Sequence, residues 1–431
     1  MSKQDKKELR QQIACEWLEE NYLQFGSLRH DVVTDRLQVR CAHNLGDEAI
    51  GRLGERQETW RNLTDKDINT MVCQCVAEKG VNISTNEMWT ALKSDMVPAV
   101  HPLRAWLDGL RPYTADQPDW IDFVAQQVKV KTSGEETKGD KARGEELWRA
   151  CFKKWFVAMV ASWMKDEVVN HTVLVLVGRQ GIFKTTWLDN LIPPELRAYS
   201  SKLPLSGQIS KDDRLRLCEN GMLNIDELDA MCGREMNIVK SLLTSTDVNE
   251  RAAYGRLKER RVRLASFCAS TNKREFLTDI TGNRRWLPFE VESIQNPFHT
   301  IIPYERLYAQ AKALVEEGMF SYWFDLEEME VLEAHNEEFR ALENEEQLLP
   351  ILFDVPAEGK GEFMTTAQIS ERLVTYGNIK KPMALNRLGM LLGTVGYSKV
   401  NRRIGGCKTR GWLVYQRDTD EINSLKKLLV K

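Results

Sequence analysis

Thr172-Val-Leu-Val-Leu-Val-Gly178-Arg-Gln-Gly181-Ile-Phe183-Lys184-Thr185-Thr186-Trp187 is the stretch on which the reading of this chain turns. Five aliphatic residues, Val173 to Val177, are too few for a helix of their own and read as a buried strand. Two glycines then make a turn, and Lys-Thr-Thr opens a helix. A strand, turn and helix start of this kind can cradle phosphate. Backbone N–H groups and the helix N-terminus face the anion, a lysine reaches the β/γ-phosphates, and a hydroxyl holds Mg²⁺. Lys184 and Thr185 fit those two roles, with Gly178, Gln180, Gly181 and Thr186 as the rest of the loop, so ATP and Mg²⁺ are the expected ligands. The usual spacing, G-x-x-x-x-G-K-[ST], is broken at Phe183, which stands where the second glycine belongs. If that position needs a left-handed φ, a side chain there costs about 1–2 kcal/mol. The competing reading of this stretch alone is a glycine turn beside an ordinary surface lysine.

Working outward, Gly221-Met-Leu-Asn-Ile-Asp226-Glu227 is an apolar strand ending in two acids. After a phosphate-binding loop, Asp226 suits the metal-side acid and Glu227 the base that polarises the attacking water. Next comes Arg263-Leu-Ala-Ser-Phe-Cys-Ala-Ser270-Thr271-Asn272, a buried-looking strand whose terminal amide, Asn272, can sense a γ-phosphate. Thr281-Gly282-Asn283-Arg284-Arg285-Trp286 presents two arginines, either of which could complete a neighbouring subunit's site; the alternative is surface ion pairing. Between these runs, Arg251 to Arg263 holds six basic residues against Glu259. Tyr254, Arg256, Lys258 and Arg260 read as a charged hairpin that tracks single-stranded DNA, or else as a solvated charge run. Apolar runs at Val173 to Val177, Met222 to Ile225 and Val262 to Ala269, separated by helical or loop-like segments, predict a mostly parallel, helix-covered sheet. Trp148, Phe152, Trp155, Phe156, Met159, Val160 and Trp163 recur at helical spacing and read as core.

In this order the motifs resemble the ATPase domain of the virulence-associated protein E family, grouped with the superfamily 3 helicases of phages and mobile elements. The carriers are Gly-Arg-Gln-Gly-Ile-Phe-Lys-Thr-Thr, Asn-Ile-Asp-Glu-Leu, Ser-Thr-Asn and, most specifically, Phe276-Leu-Thr-Asp279-Ile-Thr-Gly-Asn-Arg-Arg-Trp-Leu-Pro. His101-Pro102-Leu-Arg-Ala-Trp-Leu107 is similar to the helical segment that precedes this domain. The resemblance implies an AAA+-like α/β core with a helical collar, and a hexamer that passes single-stranded DNA through a central pore. It assigns Lys184 and Thr185 to Walker A, Asp226 and Glu227 to Walker B, Asn272 to sensor 1, and Arg284 and Arg285 to the arginine-finger position. No primase-like cluster is visible upstream, so any primase is a separate partner.

At the C-terminus, Thr365 to Gly377 reads as a capped helix closed by glycine, Pro382 to Leu392 as a second helix, and Val400 to Tyr415 as a hairpin with a two-glycine turn. This order resembles a winged helix, with the second helix offered to a DNA groove and Arg402, Arg403, Lys408 and Arg410 on the wing. The alternative is a winged helix used for protein contacts. The expected fold is therefore α/β, organised as a mainly helical collar over 1–130, a linker over 131–147, the P-loop ATPase over 148–295, a helical connector over 296–358, the winged helix over 359–418 and a tail over 419–431.

A net charge of −3 over 431 residues means that any nucleic-acid surface must be local. Nine scattered cysteines without zinc spacing, no apolar leader and no run of ~18 apolar residues point to reduced thiols in the cytoplasm, with neither export nor a membrane partner. Two functions fit: an ATP-dependent DNA helicase of a phage or mobile element, or a nucleotide-gated initiator that binds origin DNA without unwinding it.

Overall fold

Val173–Val177 is buried at every position, as a strand covered on both faces must be. The computed structural model describes residues 2–41, 59–131, 138–203, 210–226, 228, 233–250, 259–277, 283–357, 361–380 and 382–422. They fall into two units, one of Met1–Arg274 with Arg284–Leu332 and one of Glu275–Asn283 with Glu333–Lys431.

The first unit begins with α1 (Lys3–Leu18), β1 (Leu28–Asp31), β2 (Arg36–Cys41), β3 (Thr59–Asn62), α2 (Asp65–Lys79), α3 (Thr85–Leu92), β4 (Ala99–Val100), α4 (Pro102–Asp108), α5 (Trp120–Ala125) and β5 (Val128–Val130). Helices hold most of the described residues in regular structure here, and α2 starts at the reciprocal Thr64–Asp67 cap. The strands were not expected. They form a sheet of order β3-β2-β1-β4, closed by the distant parallel pair β1 and β4. β2 does alternate, with Leu37, Val39 and Cys41 set between Arg36, Gln38 and Arg40, a signal that was missed, whereas β1 has Arg29, His30 and Asp31 in succession and is fixed by pairing with β2 and the distant β4.

The core of this unit follows: α6 (Lys138–Met164), β6 (Val173–Val177), α7 (Lys184–Asp189), β7 (Ser200–Lys202), α8 (Lys211–Glu219), β8 (Met222–Ile225), α9 (Gly233–Thr244), β9 (Asp247–Glu250), β10 (Glu259–Val262), β11 (Ser266–Thr271), β12 (Trp286–Ile294) and α10 (Tyr304–Glu317), and α11 (Leu326–Asn336) runs across the boundary at Leu332. Among the described residues one sheet runs β5-β12-β6-β11-β8-β7, parallel except for β5. The aromatic stripe of α6 is core throughout; Trp148, Phe152, Trp155, Phe156 and Trp163 are all at most 1% exposed. The linker expectation needs correction, because α6 begins at Lys138. Lys, Ala, Arg and Glu there lack apolar periodicity but favour helix, so they extend the buried helix N-terminally.

The second unit contains α12 (Asn344–Leu352), β13 (Phe353–Asp354), β14 (Glu362–Met364), α13 (Thr366–Gly377), α14 (Leu385–Val395), β15 (Ser398–Ile404) and β16 (Cys407–Gln416). Gly405 and Gly406 both have positive φ, which a two-residue turn matching the strand twist requires. The left-handed residue that ends α13 is Asn378, not Gly377. The expected connector over 296–358 is divided. Leu307, Tyr308 and Ala311 of α10 join the core of the first unit, whereas Leu349 and Leu352 of α12 join the core of the second with Ile369, Leu388 and Trp412. The C-terminal module therefore starts at α12, whose apolar residues run together from Leu348 to Leu352 instead of recurring at helical spacing, so periodicity alone does not separate it from a connector.

Candidate functional site

The sheet order decides which strand tips meet. β11 lies between β6 and β8, so the segments after Val177, Thr271 and Ile225 emerge side by side at the C-terminal edge, at the ~4.8 Å spacing of neighbouring strands. Ligands of parallel α/β sheets bind at that edge. Gly178 N–H donates to Thr271 O at 3.0 Å, which ties the glycine loop to the tip of β11. Gly181 has φ 85°, and Phe183 has φ 68° and ψ 18°, directly before α7. The position that the usual motif fills with glycine is thus left-handed here, and Phe183 bears the cost of about 1–2 kcal/mol.

The loop curls back over Lys184. Its ammonium, on a residue only 7% exposed, donates to Gly178 O at 2.7 Å, to Arg179 O at 2.9 Å and to Asn272 Oδ1 at 3.0 Å. Next to it, Thr185 Oγ1 lies 3.2 Å from Asp226 Oδ1 and 3.0 Å from Ser270 Oγ, and Ser270 Oγ donates to the same carboxylate oxygen at 3.1 Å. Lys202 Nζ reaches the other oxygen, Asp226 Oδ2, at 2.7 Å. Burial raises the pKa of Asp226, but hydrogen bonds from Lys202 and Ser270 outweigh it, and the carboxyl is held below its ordinary value. Hydroxyl and carboxylate oxygens in one cluster are the donor set of a hard cation such as Mg²⁺, so these residues fit the metal that the glycine loop implies.

Asn272, Lys184, Thr185 and Asp226, chosen from three separate runs of sequence, therefore converge. Gly178 and Gly181 shape the loop, Gln180 is exposed at its apex, and Thr186 is half-buried on α7. Glu227 lies outside the described residues. Lys202 and Ser270 were missed. Ser270 belongs to the Ser-Thr-Asn string that marked Asn272, but Lys202 lies on an edge strand of three residues with no signal of its own.

Arg284 and Arg285 are elsewhere. They occupy a 3₁₀ turn before β12, where Trp286 pairs with Val173 and Glu290 with Val177. The turn thus sits at the N-terminal edge of the sheet, and the four residue steps from Val173 to Val177 span roughly 13 Å. Arg284 is exposed and Arg285 half-buried.

Among the described residues β9 and β10 pair antiparallel, Asp247–Glu250 with Glu259–Val262, so Arg260 and Arg261 at the end of the basic run lie on the second strand of a pair. Tyr254, Arg256 and Lys258 fall outside the described residues. The described charges of the run are not all offered to DNA. Arg260 pairs with Asp247 at 2.7 Å, Arg261 pairs with Glu219 at 3.2 Å and donates to Val33 O, and Arg263 is fully buried. Tertiary partners account for them where a simple charge count does not.

In the second unit Arg402, Arg403, Lys408 and Arg410 are all exposed on the β15–β16 hairpin. Arg403 is directly opposite Lys408, a like-charge pair that costs stability unless an anion intervenes. On α14 the single basic residue, Arg387, pairs with Glu343 at 2.6 Å, and Leu385, Met390 and Val395 are exposed.

Among the described residues no helix is long and apolar enough to cross a membrane. No curated protein sequence matches the chain. Of the solved structures, the apo structure of NrS-1 C terminal region (305-718) is similar at 10% identity, covering 91% of this chain and 97% of that one with a TM-score of 0.44. The A form apo structure of the same region gives 10% identity, 92% and 98% coverage and a TM-score of 0.42. Residues 137–341, which include the glycine loop, the Asp226 strand and the arginine turn, match the family model of the virulence-associated protein E-like domain.

Proposed function

We propose that the chain is an ATP-hydrolysing DNA translocase with an AAA+-like P-loop core and a C-terminal winged helix, serving replication of a phage or mobile element as a hexameric ring in the cytoplasm. The observation that carries this reading is the convergence of Lys184, Asn272, Thr185, Ser270 and Asp226 at the tips of adjacent parallel strands. A lysine held by loop carbonyls can exchange them for phosphate oxygens, which make shorter, charge-assisted bonds. Loop N–H groups and Lys184 would hold the β/γ-phosphates, while Thr185 and Asp226 would hold Mg²⁺, which supplies neutralisation of the charge that develops on the transferred phosphoryl group. Asn272 is within reach of the same ammonium and suits a γ-phosphate sensor. Glu227, next in sequence to Asp226, would take the proton of the attacking water.

The remaining parts supply coupling to DNA. An arginine turn on the sheet edge opposite Lys184 suits a residue that acts in a neighbouring subunit's site. Tyr254, Arg256, Lys258 and Arg260 would line the pore for single-stranded DNA, and the exposed wing would hold duplex or origin DNA through phosphates. A primase, if used, would be a separate protein.

The test is DNA-stimulated ATP hydrolysis combined with strand displacement on a forked duplex. Lys184→Ala should abolish both while leaving the fold intact, and Glu227→Gln should bind nucleotide without turnover. Unchanged turnover in Lys184→Ala would sink the assignment. ATP-dependent duplex binding without strand displacement would identify the nucleotide-gated initiator instead.

A further inference from the structure

Phe183 is the non-glycine residue of this loop at a left-handed position, where a glycine would sit without strain. A reason for keeping a large side chain there lies 115 residues on. The Phe183 ring meets Phe298 edge to face, with centroids 6.2 Å apart and planes at 82°. Phe298 is 76% exposed, yet its loop is well anchored. Asn296 accepts from Phe298 N–H through its side chain, and its carbonyl accepts from His299 and Thr300 N–H, each at 3.0 Å. Before this loop, Gln295 N–H donates to Gln127 O at 2.9 Å. After it, α10 is tied to the far end of α7 by Tyr304 OH to Asn190 O at 2.6 Å and Tyr308 OH to Leu191 O at 3.0 Å. The segment after β12 is thus pinned along α7, and it holds an aromatic face in solvent beside the residue that precedes Lys184.

From this geometry we infer that Phe183 and Phe298 form the platform on which the base of the bound nucleoside triphosphate stacks. The inference rests on the phosphate-loop reading and adds to it the recognition of the nucleoside end. Phosphates at Lys184 leave the base one α-phosphate and one ribose away on the same nucleotide, and these two rings supply an open aromatic face and an edge beside the same loop. A platform of this kind reads area, not hydrogen-bonding edges. It favours purines over pyrimidines because of their larger face, and it discriminates weakly between adenine and guanine.

The experiment compares ATP, GTP, UTP and inorganic tripolyphosphate binding to the full chain, wild type and Phe298→Ala, by calorimetry with Mg²⁺. Phe298 is exposed, so its removal leaves the core untouched. Stacking of one base predicts that Phe298→Ala weakens ATP and GTP roughly 5- to 150-fold, UTP less, and tripolyphosphate not at all. Phe298→Trp should keep ATP affinity. Equal loss for ATP and tripolyphosphate, or no loss of ATP, overturns the platform while leaving the phosphate site standing. Failure of the wild type to bind tripolyphosphate or ATP overturns both readings, and Lys184→Ala, which should lose both ligands, shows which site is being measured.

Discussion

Arg263→Met should be the most destabilising single substitution proposed for the first unit. Arg263 is fully buried, and its hydrogen bonds go to carbonyls: Nε to Ala265 O at 3.1 Å, Nη1 to Leu242 O, Leu243 O and Ser245 O at 3.1, 2.8 and 3.3 Å, and Nη2 to Asn170 O at 2.7 Å. Leu242 and Leu243 lie in the last turn of α9, so the cation also meets the negative end of that helix. Burial pulls its pKa down to about 9, which still leaves it charged at neutral pH. After substitution Leu242 O keeps Ser245 N–H and Leu243 O keeps the His171 ring, so the loss falls on Asn170, Ser245 and Ala265. Three weakened buried acceptors at ~1–3 kcal/mol each exceed what is recovered by not burying a charge, and the net loss should be about 3–5 kcal/mol. At ~2–4 °C per kcal/mol, melting should fall by roughly 10 °C. Thermal and urea unfolding followed by circular dichroism measure this, with Arg263→Lys expected in between because its three donors cannot span five carbonyls. A loss under ~1 kcal/mol for Arg263→Met, or full rescue by lysine, would refute the carbonyl-cage argument.

Three further outcomes follow from other parts of the molecule. His101 caps α4 through Nδ1, which accepts from Arg104 N–H at 3.3 Å, and burial lowers its pKa from 6.5 to about 4. The unfolded chain binds the extra proton between those values, so stability falls as pH drops through that window; His101→Asn, which keeps a cap, should flatten the slope in urea titrations at stepped pH. Arg403→Ala combined with Lys408→Ala relieves the cross-strand repulsion and should leave the second unit as stable or slightly more so, yet weaken duplex DNA binding and reduce its salt slope by about 2; unchanged salt dependence would remove the wing from the DNA interface. Mixing Lys184→Ala subunits with Arg284→Ala or Arg285→Ala subunits should restore part of the ATPase activity for at least one arginine variant, and no recovery in proven mixed oligomers would exclude action across subunits.

The sequence alone determined the local units of the site. Five aliphatics before a glycine turn make a strand, an apolar run makes each of the other two, and the side chains at their ends are named by adjacency. It also foretold the left-handed demand at Phe183, since the motif itself puts glycine there, and the core role of the α6 aromatics, whose spacing puts them on one face. These are short-range facts, carried by periodicities of two and 3.6 residues. The tertiary structure alone decided the order of strands, and with it that β11 separates the lysine strand from the acid strand and brings Ser270 and Asn272 between them. It supplied Lys202, an edge-strand residue that matters only because Asp226 lies beside it. It also reassigned charges that composition could only count: Arg261 and Arg263 were taken from the basic run into ion pairing and burial, Arg387 was neutralised on α14, and the wing residues were left exposed. A charge has no periodicity, so whether it meets a carboxylate, a carbonyl cage or solvent depends on residues brought near it only by folding.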